Sequence, residues 1–143
     1  MRTHRGEMSF PGGGEEPEDP DLWHTALREA WEETGIEPGT VERIGELDHL
    51  ATVTSRSFIV PYVGVLPGRP DFVPDPAEVE IIRVVSLAEL LEDGVYREET
   101  WNIPPMERAI HFFEIEGDTV WGATAAMLRD LLVRITRADE GSR

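Results

Sequence analysis

Residues 12–36 read GGGEEPEDPDLWHTALREAWEETGI, and the last nine, REAWEETGI from Arg28 to Ile36, organise what surrounds them. Asp21 follows Pro20 as a side chain suited to an N-cap, and Gly35 suits the C′ position, so the spacing predicts one helix over Leu22 to Thr34. With Glu29 at zero and about 100° per residue, Glu33 falls near 40° and Glu32 near −60°. Three carboxylates therefore share one face. Trp23, Leu27, Ala30 and Trp31 fall on a separate apolar stripe that suits packing on a sheet. Like charges three and four residues apart weaken a helix by roughly 0.2 to 0.5 kcal/mol each. A hard divalent cation, Mg²⁺ or Mn²⁺, gives such a cluster a purpose, because carboxylate oxygen suits it. A solvated acidic face is the other reading of these three residues taken alone.

REAWEETGI resembles the signature box of the Nudix hydrolases, Gly-x5-Glu-x7-Arg-Glu-U-x-Glu-Glu-x-Gly-U, where U is a bulky apolar residue. Arg28, Glu29, Ala30, Glu32, Glu33, Gly35 and Ile36 stand in register. Where the family places its upstream glutamate this chain has Pro20, and Asp19 is the expected replacement. That shift, with Phe10-Pro11-Gly12-Gly13 ahead of it, resembles the coenzyme A pyrophosphatase branch. So does MRTHRGEMSFPGG at residues 1–13, in which Arg2, His4, Gly6, Phe10, Pro11, Gly12 and Gly13 match that branch and Met1 and Met8 take aliphatic positions.

The resemblance implies metal-dependent hydrolysis of a diphosphate in coenzyme A or an acyl derivative. Glu29, Glu32 and Glu33 would be the metal ligands. Arg28 would pair with a box carboxylate and fix its rotamer. Glu32 and Glu78 are candidates for the base that orients or deprotonates water. Arg2 and Arg5 offer fork-shaped donors and His4 a further donor to phosphate oxygens. Gly12 and Gly13 let main-chain N–H groups approach phosphate closely. Two alternatives stay open: a Nudix hydrolase for ADP-ribose or another nucleoside diphosphate derivative, and a noncatalytic nucleotide-binding regulatory domain.

The 143 residues suit one domain over 1–143, with 137–143 as a frayed tail. The 13 basic residues against 29 acidic give a net charge of −16. That charge argues against nonspecific binding to nucleic acid and anionic membranes. The small-molecule substrate that the resemblance implies is itself anionic and needs metal and local arginines to enter. There are no cysteines, which excludes disulfides, thiolate metal sites and a cysteine nucleophile and is compatible with the cytoplasm. MRTHRGE has no apolar core and does not read as a signal peptide. FIVPYVGVL, 58–66, is too short to span a bilayer.

Downstream, Val41 to Ser55 reads as a strand or hairpin and Ser57 to Leu66 as a second strand with an edge or bulge at Pro61. Val79 to Val85 reads as a strand with Glu78 at its mouth, and Leu87 to Glu92 as a short helix. Val95 to Arg108 reads as a loop over the site, with Trp101 and Pro104 either contacting ligand or packing locally. A hairpin turns at Glu116 to Asp118. Residues 121–135 form a closing helix with Ala126, Leu128, Leu131, Leu132 and Ile135 supplying apolar faces, and Trp121 reads as core. The elements alone give α/β or α+β; the resemblance implies a Nudix-type α/β/α sandwich with a central mixed sheet, here lacking the usual N-terminal strand. An upstream segment or a partner copy would cover the gap, which leaves a homodimer open.

Overall fold

A computed structural model describes residues 2–4, 7–52, 58–79 and 81–141; the fold is mixed α/β, with three α-helices among the described residues. The chain divides into two compact units, Met1–Val84 and Val85–Arg143. Among the described residues every strand pairing is antiparallel, and no helix is long and apolar enough to cross a membrane.

In the first unit, β1 (Arg2–His4) and β2 (Glu7–Ser9) pair as a hairpin with Thr3 opposite Met8. Helix α1 (Leu22–Thr34) has the predicted limits. Asp21 accepts the His24 N–H at 2.9 Å as N-cap, and Gly35 closes the helix at φ +79° with its N–H on the Trp31 carbonyl. A long hairpin follows. Its outer part pairs β3 (Glu42–Glu46) with β6 (Tyr62–Val65), with a bulge between Arg43 and Gly45. Its inner part pairs β4 (Leu50–Ala51) with β5 (Phe58–Ile59). Pro61, which has no N–H for the ladder, separates β5 from β6, and its carbonyl accepts from Leu47 at 3.0 Å. Trp23 of α1 meets Tyr62 edge to face, and the Arg43 guanidinium lies over both rings. β7 is only Ile81–Ile82, shorter than the strand expected over 79–85, and it pairs with β1.

In the second unit, α2 (Leu87–Leu90) is capped by Ser86. β8 (Tyr96–Ile103), β9 (Met106–Ile115) and β10 (Asp118–Trp121) form a meander with β9 in the middle. Glu116 and Gly117 make the β9–β10 turn at φ +50° and +87°, the twist a two-residue hairpin loop requires. Helix α3 (Ala123–Gly141) lies against β9 and β10. Phe113, Ile115 and Val120 on one sheet face are 1% exposed, and Ala125, Leu128 and Leu132 bury the helix stripe at spacings of three and four. Each large apolar side chain buried there contributes about 1.5 to 3 kcal/mol.

Three expectations are corrected. Val95 to Arg108 is strand β8 and the turn into β9, not a loop. It has no apolar alternation because nearly all of β8 is exposed; its pairing rests on long-range partners such as Tyr96 opposite Phe113 and the 2.6 Å ion pair of Arg97 with Glu114. Trp121 is 50% exposed, stacked with Phe112 and near Trp101, so it is not core. The backbone of 137–141 is part of α3, in which Ala125 is buried and Ala126 half-buried. Trp31 is 50% exposed, and the fully buried residues of α1 are Thr25, Glu33 and Thr34. Thr25 and Glu33 are covered by the loop 12–19, which hydrogen-bonds to both.

Candidate active site on the acidic face of α1

The loop 12–19 folds back along α1 and meets it residue by residue. Gly12 N–H donates to Glu33 Oε2 at 3.2 Å. At Gly13 a β-carbon would stand 2.5 Å from Glu29 Oε1, so only glycine lets the main chain lie against that carboxylate. Gly14 offers its carbonyl to Arg28 Nη2 at 3.0 Å. Asp19 reaches Thr25 near the start of the helix at 2.9 Å. From Glu33 to Thr25 the loop follows the helix for about 12 Å, eight residues at 1.5 Å each.

Arg28 is the knot. Its Nε donates to Asp19 Oδ1 at 3.1 Å and its Nη2 to Asp19 Oδ2 at 3.1 Å, a forked pairing. Nη1 donates to Glu29 Oε1 and to Glu32 Oε2, each at 3.1 Å, and stands 3.4 Å from Glu16 Oε1. The Arg28 hydrogen bonds, followed by the Glu16 N–H at 2.9 Å, hold the Asp19 carboxyl at about 2, well below its ordinary value. The same Asp19 pairing raises the Arg28 pKa. Burial pushes the Glu29 carboxyl up, and the Arg28 charge partly opposes this.

The three box glutamates thus stand in three environments. Glu33 is buried, Glu29 is half-buried and Glu32 is exposed. The Gly12 loop covers Glu33. Glu78 is brought up by a different route. The last carbonyls of α1, on Glu33 and Thr34, accept the Asp75 and Val73 N–H groups at 3.0 and 2.8 Å. Asp75 then caps a turn by accepting the Ala77 N–H at 3.0 Å. The exposed Glu78 at the end of this turn adds its charge to the field at Glu29.

Of the remaining sequence candidates, Arg2 and His4 lie on β1, and Arg5 lies outside the described residues. Gly12 and Gly13 face carboxylates of this chain. Thr25 was missed. It is 3% exposed, and the only signal for it was a hydroxyl one turn before Arg28.

The donor chemistry is all oxygen, which suits a hard divalent ion. Among the described residues no three acidic or histidine side chains converge closely enough to hold a metal as a closed set. With Glu33 tied to Gly12, and Glu29 and Glu32 tied to Arg28, the group fits an ion that takes one or two carboxylates and completes its shell with water and phosphate oxygens, the habit of Mg²⁺.

The family model for the NUDIX domain matches residues 1–108. Nudix hydrolase 22, chloroplastic, of Arabidopsis thaliana is 37% identical over 139 residues, covering 90% of this chain and 44% of its own length. Nudix hydrolase 15, mitochondrial, of the same plant is 35% identical over 139 residues, 90% of this chain and 47% of its own. The uncharacterized Nudix hydrolase NudL of Photorhabdus laumondii is 32% identical over 135 residues, 94% of this chain and 72% of its own. This chain therefore spans about half the length of the plant relatives.

Proposed function

The chain belongs to the Nudix hydrolase family, and from that membership we propose that it hydrolyses the diphosphate of coenzyme A or an acyl-coenzyme A. The products are 4′-phosphopantetheine, or its acyl form, and adenosine 3′,5′-bisphosphate, and the cofactor is Mg²⁺ or Mn²⁺. One observation carries the reading: the strand pair bearing Arg2 and His4 leads through Phe10 and Pro11 into a glycine loop seated on the carboxylates of α1.

Glu29, Glu32 and Glu33 are the side chains that would hold the metal, whose chemistry when bound is neutralisation of charge on the nonbridging phosphate oxygens. The remaining roles fall to the chain itself. Arg28 fixes the rotamers of Glu29 and Glu32 through Nη1. Gly13 sets the height of the loop above the helix, and the Gly12 N–H ties it to Glu33. Arg2, His4 and Arg5 supply donors for the substrate's phosphates and offset locally the repulsion of a chain at −16. Glu32 and Glu78, both exposed, are the two candidates to orient or deprotonate the attacking water. The substrate is soluble and the site of action cytoplasmic.

The test is Mg²⁺-dependent release of adenosine 3′,5′-bisphosphate from coenzyme A, with ADP-ribose run alongside. Preferential cleavage of coenzyme A is the expected result. Cleavage of ADP-ribose alone keeps the chemistry and overturns the substrate. Cleavage of neither, repeated with a longer form of the protein, overturns both substrates and favours another nucleoside diphosphate derivative or a noncatalytic binding domain.

A further inference from the structure

Thr25 lies in the second turn-forming position behind Asp21, is 3% exposed, and belongs to none of the roles above. Its Oγ1 stands 2.9 Å from Asp19 Oδ2 and 3.2 Å from the Asp21 carbonyl. The hydroxyl has one proton, and the shorter, charge-assisted partner is Asp19. The Asp19 side chain is itself only 7% exposed, so its oxygens need protein donors. Arg28 supplies two from one side, the Glu16 N–H a third, and Thr25 the fourth.

We propose that Thr25 is a positioning residue: by donating to Asp19 it fixes the rotation of that carboxylate, which fixes the Arg28 fork, which in turn holds Glu29 and Glu32. This rests on the proposed function for what Glu29 and Glu32 then do. The route is continuous in hydrogen bonds, from Thr25 to Asp19, to Arg28 Nε and Nη2, and from Nη1 to both carboxylates. Without the hydroxyl, Asp19 Oδ2 keeps the Glu16 N–H and Arg28 Nη2 but loses its donor on the helix side, which loosens the coplanar arrangement that a forked guanidinium needs. The nearest competitor for the proton, the Asp21 carbonyl, is a backbone group at the helix start and transmits nothing to Arg28.

The test compares Thr25→Val, which keeps the shape and removes the hydroxyl, with Thr25→Ser, which keeps the hydroxyl and removes the methyl. Two readouts need no turnover: hydrogen exchange at Arg28 Nε–H by ¹⁵N NMR, and Mn²⁺ affinity of the free protein by electron paramagnetic resonance. In Thr25→Val the Arg28 Nε–H is expected to exchange about tenfold faster or more, and Mn²⁺ affinity and kcat/KM to fall about tenfold, the low end for groups outside the ligand shell. Thr25→Ser stays within about twofold of the parent on all three. Unchanged Arg28 exchange in Thr25→Val overturns the proposal. So does a Thr25→Ser protein as impaired as Thr25→Val, since the methyl would then be what matters. If the parent protein neither binds Mn²⁺ nor cleaves coenzyme A, the proposed function fails, and Arg28 exchange alone still decides the role of Thr25.

Discussion

Glu33 of α1 and Asp19 of the loop before it carry opposite expectations for charge and burial. Glu33 is buried and accepts the Gly12 N–H, so Glu33→Gln keeps an acceptor oxygen while removing the charge. That variant is expected to keep its melting temperature and to lose about 10² to 10⁴ in kcat/KM with Mg²⁺, the range for a positioned catalytic carboxylate. An unchanged kcat/KM would remove Glu33 from the site. Asp19 gives a pH prediction. Its folded pKa, about 2, lies below its ordinary 3.8, so its contribution to stability is complete above pH 3.8 and disappears as pH falls toward 2. Urea unfolding of the parent and of Asp19→Asn is expected to show a stability gap that is constant above about pH 5 and closes on acidification. A gap that widens toward low pH contradicts the Arg28 pairing as its source.

At the scale of the element, the glycine loop and α1 act as one piece. The three consecutive glycines are not equivalent. A β-carbon at Gly13 would stand 2.5 Å from Glu29 Oε1, whereas at Gly12 and Gly14 it meets nothing within 4 Å. Gly13→Ala must therefore lift the loop or displace Glu29, and displacements of about 1 Å at a reacting centre cost up to 10²-fold in rate. Steady-state kinetics of the three alanine variants is expected to show the large loss at position 13 and changes within about threefold at 12 and 14. Equal losses at all three would mean that the glycines serve loop flexibility instead of a close approach. The second unit depends on different physics. The β8–β9 hairpin is long and mostly exposed, and its cohesion comes from cross-strand pairs such as Arg97 over Phe112 and from α3 behind Phe113 and Ile115.

At the scale of the whole molecule, a net charge of −16 opposes the approach of any polyanion. Raising ionic strength shortens the range of that repulsion, from about 10 Å at 0.1 M salt to about 3 Å at 1 M. KM for coenzyme A at fixed free Mg²⁺ is therefore expected to fall as inert salt is raised from low values. A KM that rises with salt shows instead that the local cations of the N-terminal hairpin dominate the encounter. The legibility of the molecule followed the range of its interactions. Helix α1 could be read to its end residues because its signals, the Asp21 cap, the Gly35 stop and the spacing of the glutamates, act within four residues of one another. The Glu116–Gly117 turn was legible for the same reason. The sequence by itself thus determined the helix, the shared face of its three carboxylates, the Glu116–Gly117 hairpin turn and the family. Only the tertiary structure decided which glutamate is buried, that Asp19 holds Arg28 with Thr25 behind it, that Glu78 comes near Glu29, and that 96–103 is a strand. Each of those depends on which distant segment covers a given face, and neither a polar residue buried by a distant loop nor a strand left exposed on its face carries an apolar period in the sequence.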